Sequence, residues 1–163
     1  AGLVVPGVGA FAACMRGLVA IGGDEIVRAR VAAKRPTLGI CVGMQILFRD
    51  GDEHVTSELH EGVGIWQESI IKLAAPILPH MGWNTVETSS DSILFKGIGS
   101  EPFYFVHSYC VNAADDAHLL ATTPYGETIQ SVIGFKHIYG TQFHPEKSGD
   151  AGLRLLNSFI KTT

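Results

Sequence analysis

Apolar positions in this chain come in short blocks separated by turn residues. Leu3-Val4-Val5 is an apolar run closed by Pro6-Gly7-Val8-Gly9, the pattern of a buried strand running into a loop. Phe11, Met15, Leu18 and Val19 recur at i, i+4, i+7 and i+8, which predicts a helix that Gly22-Gly23 breaks. Asp24 suits the N-cap of a second helix running to about Lys34, with Pro36 ending it. Thr37-Leu38-Gly39-Ile40 predicts another strand, Cys41-Val42-Gly43 a turn, and Met44 to Phe48 the start of a further helix. Strand, helix, strand, helix is the order of an α/β fold with a parallel sheet.

The pattern changes further on. Asp50, Asp52, Glu53, Glu58 and Glu61 fall in a stretch with no Lys or Arg, which reads mostly as a solvated loop. From Gly62 to about Thr123 the apolar runs are short and β-like, as at Ser69–Leu73, Asn84–Glu87, Ser92–Phe95 and Phe103–His107. They predict an added antiparallel or mixed region. Ile138 to Phe143 reads as a strand that delivers His144-Pro145-Glu146, and a helix follows Ser148 with Leu153, Leu156, Phe159 and Ile160 as its apolar face. No linker or repeat interrupts residues 1–163, so a single domain is expected.

Composition narrows the function classes. Hydrophobic residues are 46% of the 163 and charged residues 17%, which excludes a disordered chain. Lys and Arg total 12 against 16 Asp and Glu, leaving no basic excess to grip a phosphate backbone, so no nucleic-acid partner is expected. No apolar stretch approaches the ~20 residues that span a bilayer, so no membrane partner is expected either. Cys14, Cys41 and Cys110 are odd in number and unrelated in spacing, which fits a reduced, cytoplasmic protein rather than a disulfide framework. His54, His60, His80, His107, His118 and His137 form no metal-ligand spacing, so no metal or cofactor is expected. They read as surface or locally satisfied residues.

Gly39-Ile40-Cys41-Val42-Gly43 has the form of a nucleophile elbow with Cys in the place of Ser. A strand-to-helix turn this sharp crowds its neighbours, and the two glycines relieve the crowding. The turn would project the sulfur outward, the following helix would lower the thiol pKa, and the Val42 N–H would face a developing oxyanion. The competing reading is a buried structural cysteine between packing glycines. His144 would emerge at the same kind of sheet edge, as a base, with Glu146 to orient it. Alternatively, both merely cap the last helix. Pro6-Gly7-Val8-Gly9 could supply a second oxyanion donor.

These motifs resemble the class I (triad) glutamine amidotransferases over essentially the whole chain. Pro6-Gly7-Val8-Gly9 resembles that family's oxyanion strand, Gly39 to Gln45 its elbow, and Gln142 to Ser148 its His/Glu segment. The resemblance implies a flavodoxin-like three-layer α/β fold with a mostly parallel central sheet and an antiparallel or mixed addition. It implies Cys41, His144 and Glu146 as the catalytic residues, Gly9 and Val42 as oxyanion donors, and Gln45, Glu53, Ser108 and Tyr109 as contacts for the glutamine substrate. Leu78-Pro79-His80-Met81-Gly82-Trp83-Asn84 and Tyr104 to Tyr109 are similar to one branch of the family. In that branch the glutaminase passes ammonia to a (β/α)8-barrel cyclase in histidine biosynthesis, as one half of a heterodimer. Met81, Trp83, Tyr104 and Lys147 would then face the partner, although Met81 and Trp83 on their own read as core residues. The family begins with a further strand–helix unit ahead of Leu3, so the resemblance implies that this chain lacks it. A glutaminase for another synthase, such as anthranilate synthase, and a non-catalytic, partner-binding remnant of the fold are the competing readings.

Overall fold

A computed structural model of the chain describes residues 1–55, 58–88, 92–112 and 118–163. Parts of the predicted acidic loop and β-rich region, at 56–57, 89–91 and 113–117, lie outside the described residues. The chain opens with β1 (Leu3–Gly7), α1 (Phe11–Ala20), α2 (Gly23–Ala32), β2 (Thr37–Cys41) and the single turn α3 (Val42–Gln45). Next come β3 (Phe48–Gly51), β4 (His60–Glu61), β5 (Trp66–Lys72), β6 (His80–Asn84), β7 (Glu87–Thr88), β8 (Phe103–His107) and β9 (Tyr109–Val111). β10 (Leu119–Tyr125), β11 (Glu127–Phe135), β12 (Ile138–Thr141) and α4 (Gly149–Ile160) complete the order.

The central sheet runs β1-β2-β12-β11-β10-β7. β1, β2 and β12 are parallel, and the rest of the sheet is antiparallel. The parallel sheet expected from the sequence is therefore confined to three strands, and the whole is mixed. β2 lies between two parallel neighbours and is buried at all five positions, as its run Thr-Leu-Gly-Ile-Cys suggests. A second sheet, β4-β3-β5-β9, and a β6-β8 ribbon form the added region. Phe103, Phe105 and Phe143 pack ring to ring and join that region to the core beneath the C-terminal ends of the parallel strands.

Several local expectations change. The helix expected at Met44 to Phe48 is one turn, Val42–Gln45, after which Phe48 opens β3 and packs on Trp66 at 5.0 Å. A short apolar run fits either period, and here a partner strand decides. Asp24 is not an N-cap: Gly22, at φ +67°, holds that position, and Asp24 lies in the first turn paired with Arg28 at 2.7 Å. Asp50 is buried within β3 and bound by Arg49 at 2.6 Å, so it is no solvated loop residue. Ser92–Phe95 forms a capped 3₁₀ turn rather than a strand, with the Ser92 hydroxyl accepting the Leu94 N–H. Asn84–Glu87 is the junction between β6 and β7. α4 buries Ala151, Gly152, Leu155 and Phe159, leaving Leu153 and Ile160 in solvent. Gly152 lets the helix approach so closely that a Cβ there would overlap the Pro145 carbonyl.

Candidate active site

Three loops leave the same edge of the parallel strands. Gly7 pairs with Cys41 across β1 and β2, and Thr141 pairs with Ile40 across β12 and β2. The segments after β1, β2 and β12 therefore start side by side, where open α/β sheets place their sites. They close a cavity of about 480 Å³ lined by Val8, Gly9, Cys41, Val42, Gln45, Glu53, His107, Ser108, Tyr109 and His144, among others. Of the residues singled out in the sequence, Cys41, His144, Gly9, Val42, Gln45, Glu53, Ser108 and Tyr109 all meet there. Glu146 stands behind His144, its side chain half exposed.

The elbow is built by close approach. A Cβ on Gly39 would stand 2.6 Å from Met44 Cα, and one on Gly43 would overlap the Val5 carbonyl oxygen. Only glycine fits at either place. Cys41 itself takes φ +52° and ψ −117°, a strained backbone for a residue with a side chain. The thiol donates weakly to the Val106 carbonyl at 3.8 Å and receives the Gln142 carboxamide N–H at 3.8 Å. Burial pushes its pKa up to about 11, outweighing the Val42 N–H and Gln142, which pull it down. The sequence reading of a lowered thiol pKa is thus corrected: α3 is a single turn, and desolvation wins. A base must remove this proton.

His144 lines the same cavity as Cys41. Its N–H is held by the Tyr104 carbonyl at 2.9 Å, and its own carbonyl accepts the Ser148 hydroxyl at 2.6 Å. That hydroxyl also receives the Tyr104 N–H at 3.0 Å, so β8 and the start of α4 clamp the histidine backbone. The ring Nδ1 lies 2.6 Å from Glu146 Oε1. Nε2 is buried and has no hydrogen-bond partner among the described residues. Such an imidazole, oriented at one nitrogen and open at the other, has the form of a general base.

On the β1 side, the Val8 carbonyl accepts the Cys14 thiol at 3.3 Å. The C=O and N–H of a trans peptide point opposite ways, so the Gly9 N–H is turned away from α1. Glu53 is not part of a solvated loop. One of its oxygens accepts the Phe11 N–H at 2.7 Å, capping α1 from across the chain. Gln45 is buried, with Nε2 shared between the Tyr109 carbonyl at 2.9 Å and Gln142 Oε1 at 3.0 Å.

The four residues expected at a partner surface lie outside the cavity. Met81 is 61% and Trp83 57% exposed on one face of β6, so they are not core residues. Tyr104 meets the Trp83 ring edge-on at 5.9 Å, and Lys147 is exposed on the turn after His144. The sequence reading passed over Gln142, Cys14, His80 and His107. Gln142 lies in the Gln142 to Ser148 segment, two positions before His144. His80 and His107 are buried rather than surface residues, and satisfy each other across 27 positions, which no local pattern reveals. Among the described residues no cluster of His, Cys, Asp or Glu could hold a metal, and no helix is long and apolar enough to cross a membrane.

Known proteins share sequence and fold with this chain. Residues 2–162 match the family model for glutamine amidotransferase class-I. The imidazole glycerol phosphate synthase subunit HisH of Streptomyces avermitilis is 50% identical over 170 residues, covering 99% of this chain and 78% of that protein. The subunit of the same name from Mycobacterium tuberculosis is 50% identical over 163 residues, covering 98% and 78%. Among solved structures, a glutamine amidotransferase superposes with a TM-score of 0.74 at 20% identity, covering 98% of this chain and 77% of that one. PurLQS from Thermotoga maritima does so at 0.69 and 14% identity, covering 98% and 79%. At these identities the two structures speak to the fold alone.

Proposed function

The chain belongs to the class I glutamine amidotransferases, and on that footing we propose that it is the glutaminase subunit of an imidazole glycerol phosphate synthase. It hydrolyses glutamine to glutamate and ammonia for histidine biosynthesis. One observation carries the chemistry: His144, which lines the cavity with Cys41, is bound to Glu146 through Nδ1 and leaves Nε2 without a hydrogen-bond partner among the described residues.

The residues take the following roles. Cys41 Sγ bonds to the side-chain carboxamide carbon of glutamine while its proton passes to His144 Nε2. The carbonyl electron pair moves onto oxygen, which the Val42 and Gly9 N–H groups receive. Collapse breaks the carbon–nitrogen bond. His144 returns the proton to the departing nitrogen, ammonia leaves, and a thioester remains. Water then gives a proton to His144 as it attacks the thioester, and the sulfur departs with that proton, releasing glutamate. Glu146 keeps the imidazole in one orientation throughout. Glu53 holds the substrate α-amino group with the carboxylate oxygen that does not cap α1, and Gln45, Ser108 and Tyr109 contact the rest. No step needs a metal or cofactor.

The ammonia passes to a (β/α)8-barrel cyclase that docks on Met81, Trp83, Tyr104 and Lys147. The exposed apolar face of β6 and its neighbours favour this placement. The pair works in the cytoplasm. Cys41→Ala tests the reading in the complex with the cyclase. Glutamine-dependent synthesis should vanish while ammonia-dependent synthesis stays nearly intact. Equal loss of both would make Cys41 structural, and capture of a different synthase would move the partner assignment.

A further inference from the structure

A chain of buried polar side chains leads from the cavity wall into the β6-β8 ribbon. The Tyr109 carbonyl, which accepts Gln45 Nε2, also faces His107 Nδ1 at 2.9 Å. A carbonyl can only accept, so this nitrogen carries a proton, and in the neutral ring Nε2 is then an acceptor. His80 Nδ1 lies 2.9 Å from that acceptor and must be the donor. His80 Nε2 is left to accept from Asn84 Nδ2 at 3.2 Å, and the same amide nitrogen donates to the Pro124 carbonyl at 3.0 Å. Each bridging proton in the chain thus has one permitted place. The His80 ring is also stacked on Phe105 at 4.6 Å and on Tyr125 at 3.9 Å, and cannot turn over without losing its hydrogen bonds.

We infer that His107, locked in one tautomer by His80 and Asn84, is a positioning residue for glutamine hydrolysis: it fixes the Tyr109 carbonyl, and through it the Gln45 carboxamide, at the cavity wall. The inference rests on the reading of that cavity as the glutamine site. Two donors, His107 Nδ1–H and Gln45 Nε2–H, occupy the Tyr109 carbonyl, so its direction is set from two sides. Gln45 passes the constraint to Gln142, whose own Nε2–H points at the Cys41 sulfur. The chemistry of the surroundings favours the neutral pair. Burial holds both rings down to about 4; His107 and the Tyr125 ring reach His80, His80 and His144 reach His107, and no ion pair to a carboxylate involves either ring among the described residues.

The test combines spectroscopy with kinetics on the complex of the chain and its cyclase partner. Nitrogen-15 spectra of the imidazoles should show the Nδ1–H tautomer for both histidines from pH 8 to pH 5. His107→Ala should raise the KM for glutamine about tenfold or more and lower kcat by a smaller factor, the loss expected for one buried hydrogen bond. His107→Asn, whose amide N–H stands near the former Nδ1–H, should recover much of that loss. His80→Phe keeps the ring stacks, leaves His107 Nε2 without its donor, and should raise KM several-fold. An Nε2–H tautomer at His107 in the wild type, unchanged KM in His107→Ala and His80→Phe, or Asn no better than Ala would each overturn the inference. A wild-type complex that hydrolyses no glutamine would overturn the assignment of the cavity and this inference with it. An active wild type with indifferent variants would overturn this inference alone.

Discussion

Cys41 and Gly9 leave neighbouring strands at one edge of the sheet, yet the chain around them is held in opposite ways. The segment at Cys41 has no spare room: Gly39 is pressed on Met44, and Gly43 on the backbone of Val5. Val8, by contrast, is 73% exposed, and among the described residues nothing beyond its chain neighbours lies within 4 Å of where a Gly9 Cβ would stand. Gly9 also sits at φ +93°, a conformation it holds without a steric cost. A weak thiol donor from Cys14 steadies the peptide between them. On the proposed roles, the difference separates two duties. A nucleophile has to be in place before substrate arrives, and close packing puts it there. An oxyanion donor is needed only once charge develops, and a peptide free to turn can offer or withhold its N–H.

The hardest blow to this contrast would come at Gly43. Gly43→Ala drives a Cβ into the Val5 carbonyl and should cost roughly 3 kcal/mol or more, enough to lose folded protein, as measured by denaturant unfolding. A stable, active Gly43→Ala enzyme would mean that the elbow is not locked. Gly9→Ala should do the reverse. Its backbone strain costs about 1 kcal/mol, so the protein stays folded, while kcat falls on the order of 10- to 100-fold as the N–H is misplaced.

Acid should find the rigid side of the cavity first. His80 and His107 are held neutral with pKa values near 4, whereas an unfolded chain protonates them near 6.5. The unfolded state therefore binds more protons between those values. The pair's contribution to stability is complete above about pH 6.5 and drains away as pH falls toward 4. From pH 7 to pH 5 the loss should be about 2 kcal/mol or more for the pair, and His80→Phe should shrink it. Unfolding midpoints at the two pH values measure this, and a slope identical in wild type and variant would refute it. The mildest change belongs to the open loop. Cys14→Ala should lower kcat only a few-fold with no change in unfolding midpoint, and Cys14→Ser, which still donates to Val8, should restore it.

Much of this site could be read before any coordinates, for a reason visible in its residues. Gly39, Cys41 and Gly43 form a local steric device, so their spacing carries the information. The same holds for His144 and Glu146, two positions apart and bound at 2.6 Å. What escaped was non-local. The acidity of the Cys41 thiol is set by burial among distant segments, and the sequence suggested the wrong direction. His80 and His107 meet only because β6 pairs with β8. α4 was misjudged because its inner face uses Ala151 and Gly152, whose merit is small size rather than hydrophobicity. The β10–β11 hairpin went unnoticed, and with it the antiparallel half of the central sheet.

The buried thiol of Cys41 has a consequence for damage as well as for catalysis. With a pKa of about 11, roughly one molecule in 10⁴ carries a thiolate at pH 7. Peroxide and simple alkylating reagents attack thiolates, so the sulfur of the proposed nucleophile should react slowly with them. On the proposed mechanism, an electrophile that resembles glutamine would settle beside His144 and have the proton drawn off at the moment of attack. Protection from indiscriminate chemistry and selectivity for one amide thus arise from the same loss of water around a single sulfur atom.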